Sequence, residues 1–250
     1  MPRPSSPRDG NAGAAVPPPP DGSAHRESTP AAAARAPTVV VVDDDDGFRA
    51  STVRFLRSVG YDVESYAAPE ELLSQPPSGG PTCILLDLRM PGMSGLEAQH
   101  ALMLRQDRHP IVFMSGHADA AVSIQAMKRG AVDFLLKPFE EQAVLDAIDR
   151  ALRQDAHALA ASTAQQEARA RLARLTAREH QVCEYLMQGM LNKQIAAALG
   201  IAESTVKVHR SRMMEKLGVG SLVALTRLMD QAAGAPPAAG ATGPRDGTDD

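Results

Sequence analysis

Short apolar runs punctuate the first part of the chain, and stretches in which apolar residues recur every three or four positions fall between them. TVVVV (38–42), TCILL (82–86), PIVFM (110–114) and AVDFLL (131–136) read as buried strands, and the first, continuous and wholly β-branched after its threonine, as one covered on both faces. YDVES (61–65) is a shorter strand candidate. Phe48, Val53, Phe55, Leu56 and Val59 give near-helical spacing over 46–58, and PEELL opens a short helix that QPPSGGP (75–81) ends. After the turn MPGMSG, Ser94 caps a helix reaching about Arg105. ADAAVSIQAMKRG (118–130) is a helix closed by Gly130, and a fifth helix starts at about Glu140. Five strands alternating with five helices predict an α/β fold, a doubly wound five-stranded parallel sheet covered on both faces.

The pattern changes after residue 170. LTAREHQVCEYLMQGMLNKQIAAALGIAESTVKVHRSRMMEKLGVGSLVALTRLM (175–229) shows helical spacing throughout and reads as four helices, a small all-α domain. Thr176 and Glu179 fit a capping box, Val182, Leu186 and Met187 share a face, and Gly189 ends the first helix. Asn192 begins a second carrying Ile195, Ala196 and Leu199, and LGIAES (199–204) is a tight turn at Gly200. From Glu203 or Ser204 to Leu217, Val206, His209, Met213 and Leu217 mark a buried face, while Lys207, Arg210, Ser211 and Arg212 lie opposite. Two helices joined by a short glycine turn, the second bearing exposed cations, meet the requirements of a helix-turn-helix that enters the major groove. An ordinary helical bundle with a solvated basic face is the plainer alternative.

The Ala-rich connector 141–174 carries Leu145, Ile148, Leu152 and Leu159, so helix five extends into it. A dimerising stalk and a flexible tether both fit, and the apolar stripe fades after Leu159. Residues 1–36, with PPPP at 17–20, and residues 232–250 lack the apolar content to offset ordering entropy and read as disordered tails. The resulting division is 1–36 tail, 37–155 first domain, 156–170 helical linker, 171–231 second domain and 232–250 tail.

Charge sharpens this division. Residues 37–150 hold 10 Lys/Arg against 17 Asp/Glu, whereas residues 170–230 hold 9 against 5. An acidic part suits a divalent cation and a basic part suits phosphate backbones. Two cysteines exclude a disulfide scaffold, no apolar run is long enough to span a bilayer, and the N-terminus lacks a signal-type apolar core, so a cytoplasmic location is expected. The absence of tryptophan argues against stacking as the main way of holding nucleic acid.

Sites in open parallel sheets lie beyond the C-terminal strand ends. There the sequence places Asp43, Asp44, Asp45 and Asp46 after the first strand, Asp87 after the third, Ser115 after the fourth and Lys137 after the fifth. Converging carboxylates repel unless a cation sits among them, and Mg²⁺ is the first choice for oxygen-only ligands. A hydroxyl and an ammonium then suit the oxygens of a phosphoryl group. The set describes a carboxylate that accepts a phosphoryl group by Mg²⁺-assisted in-line transfer.

VVVVDDDDGFR, CILLDLRMPGMSGLE, PIVFMSGHAD and KRGAVDFLLKPF resemble the receiver domain of two-component response regulators, over about residues 37–155. LTARE and GMLNKQIAAALGIAESTVKVHRSRMMEKL resemble the LuxR-type helix-turn-helix, and the pairing resembles the FixJ/NarL class. The resemblance implies a flavodoxin/CheY-like receiver with Asp87 as phosphoacceptor. It implies Mg²⁺ held by Asp43, Asp44, Asp87 and the carbonyl of Arg89, phosphoryl binding by Ser115 and Lys137, a cis Lys137–Pro138 peptide, and Phe134 as switch aromatic. Arg89 and His117 would tune dephosphorylation. By the same analogy Lys207, Val208 and Ser211 face bases, Asn192, Lys193, Thr205 and Arg210 contact the backbone, and Arg212 lies on the same basic side.

The implied partners are a sensor histidine kinase, double-stranded DNA, a second copy on phosphorylation, and RNA polymerase. The protein is then not an enzyme in its own right but a phosphoacceptor that assists its own phosphorylation and dephosphorylation. The expected mechanism is receiver dimerisation and release of the helix-turn-helix domain. Two rivals stand beside it. D-x-D-G at Asp44 and Asp46 resembles haloacid-dehalogenase-type phosphatases, and the other rival is DNA binding that phosphorylation does not control.

Overall fold

The computed structural model describes residues 36–77, 79–117 and 120–234. Ser78, Ala118, Asp119 and, of the tails expected at 1–36 and 232–250, residues 1–35 and 235–250 lie outside the described residues. The first part alternates β1 (Thr38–Val42), α1 (Asp46–Ser58), β2 (Asp62–Tyr66), α2 (Pro69–Ser74), β3 (Thr82–Asp87), α3 (Gly95–Leu104), β4 (Ile111–Ser115), α4 (Ala120–Lys128), β5 (Asp133–Leu136) and α5 (Glu141–Leu172). The strands form one parallel sheet in the order β2-β1-β3-β4-β5.

The two-residue strand period divides the core. Val39, Val41, Cys83 and Leu85 pack on one face with Val144, Ile148 and Leu152 of α5. Val40, Val42, Ile84 and Leu86 pack on the other face with residues of α2, α3 and α4. A sheet covered on both faces explains why its inner strands read as unbroken apolar runs.

Three strands begin later than their apolar runs suggest, β4 at Ile111 rather than Pro110. Tyr61 still donates its amide to Leu56 in the turn that ends α1, so β2 starts at Asp62. The Ala131 amide still donates to Ala126 in the turn after α4, and β5 starts at Asp133.

α5 is unbroken for 32 residues, which spans about 48 Å at 1.5 Å per residue. The connector is thus helical as far as Leu172. Ala168, placed in the linker by its sequence position, belongs to a third core with Val182, Ile195, Val206, Met213 and Leu225. That core is built by α6 (Ala177–Met187), α7 (Asn192–Leu199), α8 (Glu203–Leu217) and α9 (Leu222–Ala233). α9 includes Ala232 and Ala233, which the sequence pattern assigned to the tail; Ala232 is buried and its carbonyl accepts from Arg169 Nε at 2.8 Å. Among the described residues, no helix is long and apolar enough to cross a membrane.

Candidate functional site

The run of four aspartates is divided among different tasks. Asp43 is fully buried, and one of its carboxylate oxygens, Oδ1, accepts the Asp45 amide at 3.0 Å. Asp45 caps α1, accepting the Phe48 amide at 3.0 Å. Asp46 faces solvent and pairs with Arg49. Asp44 is exposed, yet its carboxylate and those of Asp43 and Asp87 each bring an oxygen within 4.8 Å of the others.

Asp87 ends β3 and is 7% exposed. Its Oδ1 accepts the Leu88 amide at 2.9 Å and lies 3.3 Å from Lys137 Nζ. The same ammonium donates to Asp43 Oδ2 at 2.5 Å and stands 4.3 Å from the Phe48 ring centroid. Burial pushes the Asp87 carboxyl above its ordinary pKa; Lys137 and the Leu88 amide pull it back, and Asp43 adds to the rise.

Gly95 fixes how closely α3 approaches this end of β3. A Cβ there would stand 2.4 Å from the Asp87 carbonyl oxygen, 3.0 Å from Leu88 Cα and 3.1 Å from the Phe113 ring. Only glycine lets the helix start against the strand. Ser94 and Glu97 complete the start with a reciprocal capping box.

Ser115, buried at the end of β4, engages the backbone of His117, donating to its carbonyl at 3.1 Å and accepting its amide at 3.2 Å. The Lys137 amide donates to the Ser115 carbonyl at 2.7 Å, which ties the ends of β4 and β5 together. The Lys137–Pro138 peptide is cis. Phe134 is half-buried on β5 against the second core, and Arg89 is exposed in the loop after β3. The structure brings Asp43, Asp44, Asp87 and Lys137 into contact range; Ser115 sits on the adjoining strand end with its hydroxyl turned to its own loop.

The donor set supports a hard cation. Three carboxylates gather there, the two buried ones share one ammonium, and oxygen-only donors at a partly open rim suit Mg²⁺. Asp43, Asp44 and Asp87 are the side chains that would hold it.

In the second part, α7 and α8 meet through Gly200, whose φ of +64° is the left-handed conformation that a helix stop uses. Val206, Met213 and Leu217 face the third core, and His209 is half-buried. Lys207, Val208, Ser211, Arg212, Thr205 and Lys193 are exposed. Arg210 is half-buried and donates to Asn192 Oδ1 at 3.3 Å, which joins two of the expected backbone-contacting residues into one unit. Lys207 pairs with Glu203 at 3.2 Å.

Two polar clusters carry no sequence signal of pairing. Glu179, buried as the N3 residue of the Thr176 capping box, accepts Lys216 Nζ at 2.7 Å, 37 residues away. Asp155, buried on α5, accepts the Thr82 amide at 2.8 Å and lies 3.3 Å from His109 Nδ1. A charged residue on an otherwise apolar helical face was the available hint for Asp155.

Residues 39–149 match the response regulator receiver domain family, and residues 173–229 match the luxR family of bacterial regulatory proteins. The chain belongs to the two-component response regulators that join a receiver to a LuxR-type helix-turn-helix, and it is a DNA-binding transcriptional regulator of that class. It is 38% identical to Nodulation protein W of Bradyrhizobium diazoefficiens over 182 residues, covering 73% of this chain and 80% of the relative. It is likewise 38% identical to the transcriptional regulatory protein FixJ of the same organism over 173 residues, covering 69% and 84%. A solved structure of the response regulator StyR aligns with a TM-score of 0.73 and 45% identity, covering 79% of this chain and all of that one.

Proposed function

We propose that a sensor histidine kinase transfers a phosphoryl group to Asp87 and that this modification controls DNA binding. The observation that carries the reading is the shared ammonium: Lys137, after β5, bridges buried Asp43 and Asp87 at the ends of β1 and β3. Asp87 Oδ1 is engaged by Leu88 and Lys137, which leaves Oδ2 as the oxygen that attacks phosphorus while the P–N bond to the kinase histidine breaks. Bound Mg²⁺ would supply charge neutralisation at the transferred group's oxygens. Asp43, Asp44, Asp87 and the Arg89 carbonyl would hold it.

Lys137 then donates to a phosphoryl oxygen. The Ser115 hydroxyl leaves the His117 backbone to do the same, and Phe134 turns into the space beside it. Arg89 and His117 flank the site and tune the water attack that removes the phosphoryl group. The affected face lies along α4 and β5, where Ile124, Met127 and Leu136 are exposed. Pairing through that face releases the helix-turn-helix domains to engage paired half-sites on double-stranded DNA. Lys207, Val208 and Ser211 face the bases; Asn192, Lys193, Thr205, Arg210 and Arg212 serve the phosphates. Contact with RNA polymerase in the cytoplasm completes the reading.

The test is incubation with Mg²⁺ and a small acyl phosphate, followed by mass, sedimentation and DNA retention on one sample. The wild type gains one phosphoryl group, dimerises and binds DNA at least tenfold more tightly. Asp87→Asn does none of these. Equal oligomeric state and DNA affinity in both proteins would overturn the proposal.

A further inference from the structure

α5 is anchored at two separated places. Its first half packs into the receiver core through Val144, Ile148, Ala151 and Leu152, and its last turns enter the third core through Ala168. Residues 156–163, between these anchors, are all exposed. The last residue that α5 buries against the receiver is Asp155, and it is charged.

Its partners make this position unlike an apolar contact. The Thr82 amide, at the start of β3, donates to Asp155 Oδ2 from 73 residues away, and His109 Nδ1 approaches the same oxygen. The Asp155 bond raises the His109 pKa above its ordinary value against the opposing effect of burial. β3 thus carries this clamp at one end and Asp87 at the other, a rise of about 17 Å over its six residues. Aliphatic packing lets a helix slide or roll over its neighbours with little loss. A carboxylate taking two directional hydrogen bonds fixes both the translation and the azimuth of the turn that bears it.

We propose that Asp155 is a positioning residue: it sets the direction in which α5 leaves the receiver, and through that rigid helix it sets where the reading helix α8 stands. The far end of the helix is held equally firmly. Ala168 is buried in the third core and Arg169 caps the end of α9 through the Ala232 carbonyl, so little slack remains between the two anchors. The role does not depend on phosphoryl transfer.

The experiment uses spin-label distances in the full chain. Both native cysteines are buried, so labels go to introduced ones. A pair at Ser74→Cys in α2 and Gln181→Cys in α6 spans the two domains, and a pair at Ser58→Cys and Ser74→Cys reports on the receiver alone. In Asp155→Leu, which fills the space but removes the acceptor, the interdomain distance distribution is expected to widen at least twofold while the receiver pair stays unchanged. Asp155→Asn, which keeps an acceptor for the Thr82 amide, is expected to restore most of the wild-type width. An interdomain distribution in Asp155→Leu as narrow as the wild type overturns the proposal. So does equal widening of both pairs, which would show that Asp155 merely holds the receiver together.

Discussion

The acidic pocket and the reading surface both depend on charge, but they hold it in opposite ways. At the pocket Asp43 is wholly buried, Asp87 nearly so, and Lys137 is shared between them. On α8, by contrast, Lys207 and Arg212 stand in solvent; the Lys207 side chain is 63% exposed and pairs with Glu203 of its own helix. Buried charges feel few screening waters, so a single added phosphoryl group shifts the local balance strongly. Solvated charges cost little to keep and are free to exchange counterions for DNA phosphates. A regulator needs both: a desolvated site that one chemical event can upset, and a solvated one that reads a long polyanion.

The sharpest break in this comparison is Asp87→Asn. It keeps the size of the side chain but removes its charge, and phosphoryl incorporation from an acyl phosphate is expected to fall to background by mass spectrometry. Retained incorporation would place the acceptor elsewhere in the acidic run.

Gly95→Ala tests how finely the pocket is built. The added Cβ meets the Asp87 carbonyl oxygen at 2.4 Å, so α3 must move away from β3. Destabilisation of about 1–3 kcal/mol is expected from such overpacking, measured as a lower urea midpoint. A variant as stable as the wild type would show that the approach is not tight.

Glu179→Gln probes the buried ion pair of the second domain. Removing one partner is expected to cost about 1–3 kcal/mol, read by thermal unfolding. The Lys216 hydrogen bond and the Thr176 backbone hold the Glu179 carboxyl down at about 2, below its ordinary 4.5. A depressed carboxyl stabilises the fold above its unfolded value, so this contribution is present above about pH 4.5 and is lost as the pH falls toward 2. Circular dichroism across an acid titration should show that loss in the wild type and a flatter profile in Glu179→Gln.

Lys207→Ala is expected to act more mildly. It should weaken binding to all DNA sequences alike and reduce the salt slope of log affinity by roughly one. A change confined to one base position would instead make Lys207 a base reader.

The smallest effect is expected at His109, whose pKa is raised chiefly by Asp155. A raised histidine stabilises the fold fully below its ordinary value of 6.5, and the benefit fades as the pH rises through the folded value. His109→Gln should therefore flatten the dependence of melting temperature on pH above 6.5, and an unchanged slope would remove His109 from the clamp.

Much of the architecture was legible because burial on both faces leaves unbroken apolar runs such as TVVVV and TCILL, and because punctuation such as Ser94, Gly130 and Gly200 is local. The strand-end residues Asp43, Asp87, Ser115 and Lys137 followed from the topology, since each ends or directly follows its strand. The roles of Asp45 and Asp46 did not follow: four consecutive carboxylates look alike until one caps α1 and another turns to Arg49. Long-range pairs were also hidden. Nothing near Glu179 announces Lys216, and nothing near Asp155 announces the Thr82 amide, because those contacts exist only once the helices have packed. The extent of α5 was visible in its alanine content, but its docking at Ala168 was not, since a single alanine on an exposed-looking helix carries no pattern.

The most direct test of the central claim is to map the modified residue. After treatment with Mg²⁺ and an acyl phosphate, peptide mass spectrometry of the wild-type chain should find one hydroxylamine-labile phosphoryl group, on the peptide bearing Asp87. Its appearance on Asp43, Asp44 or a serine instead, or no modification at all, would contradict the account.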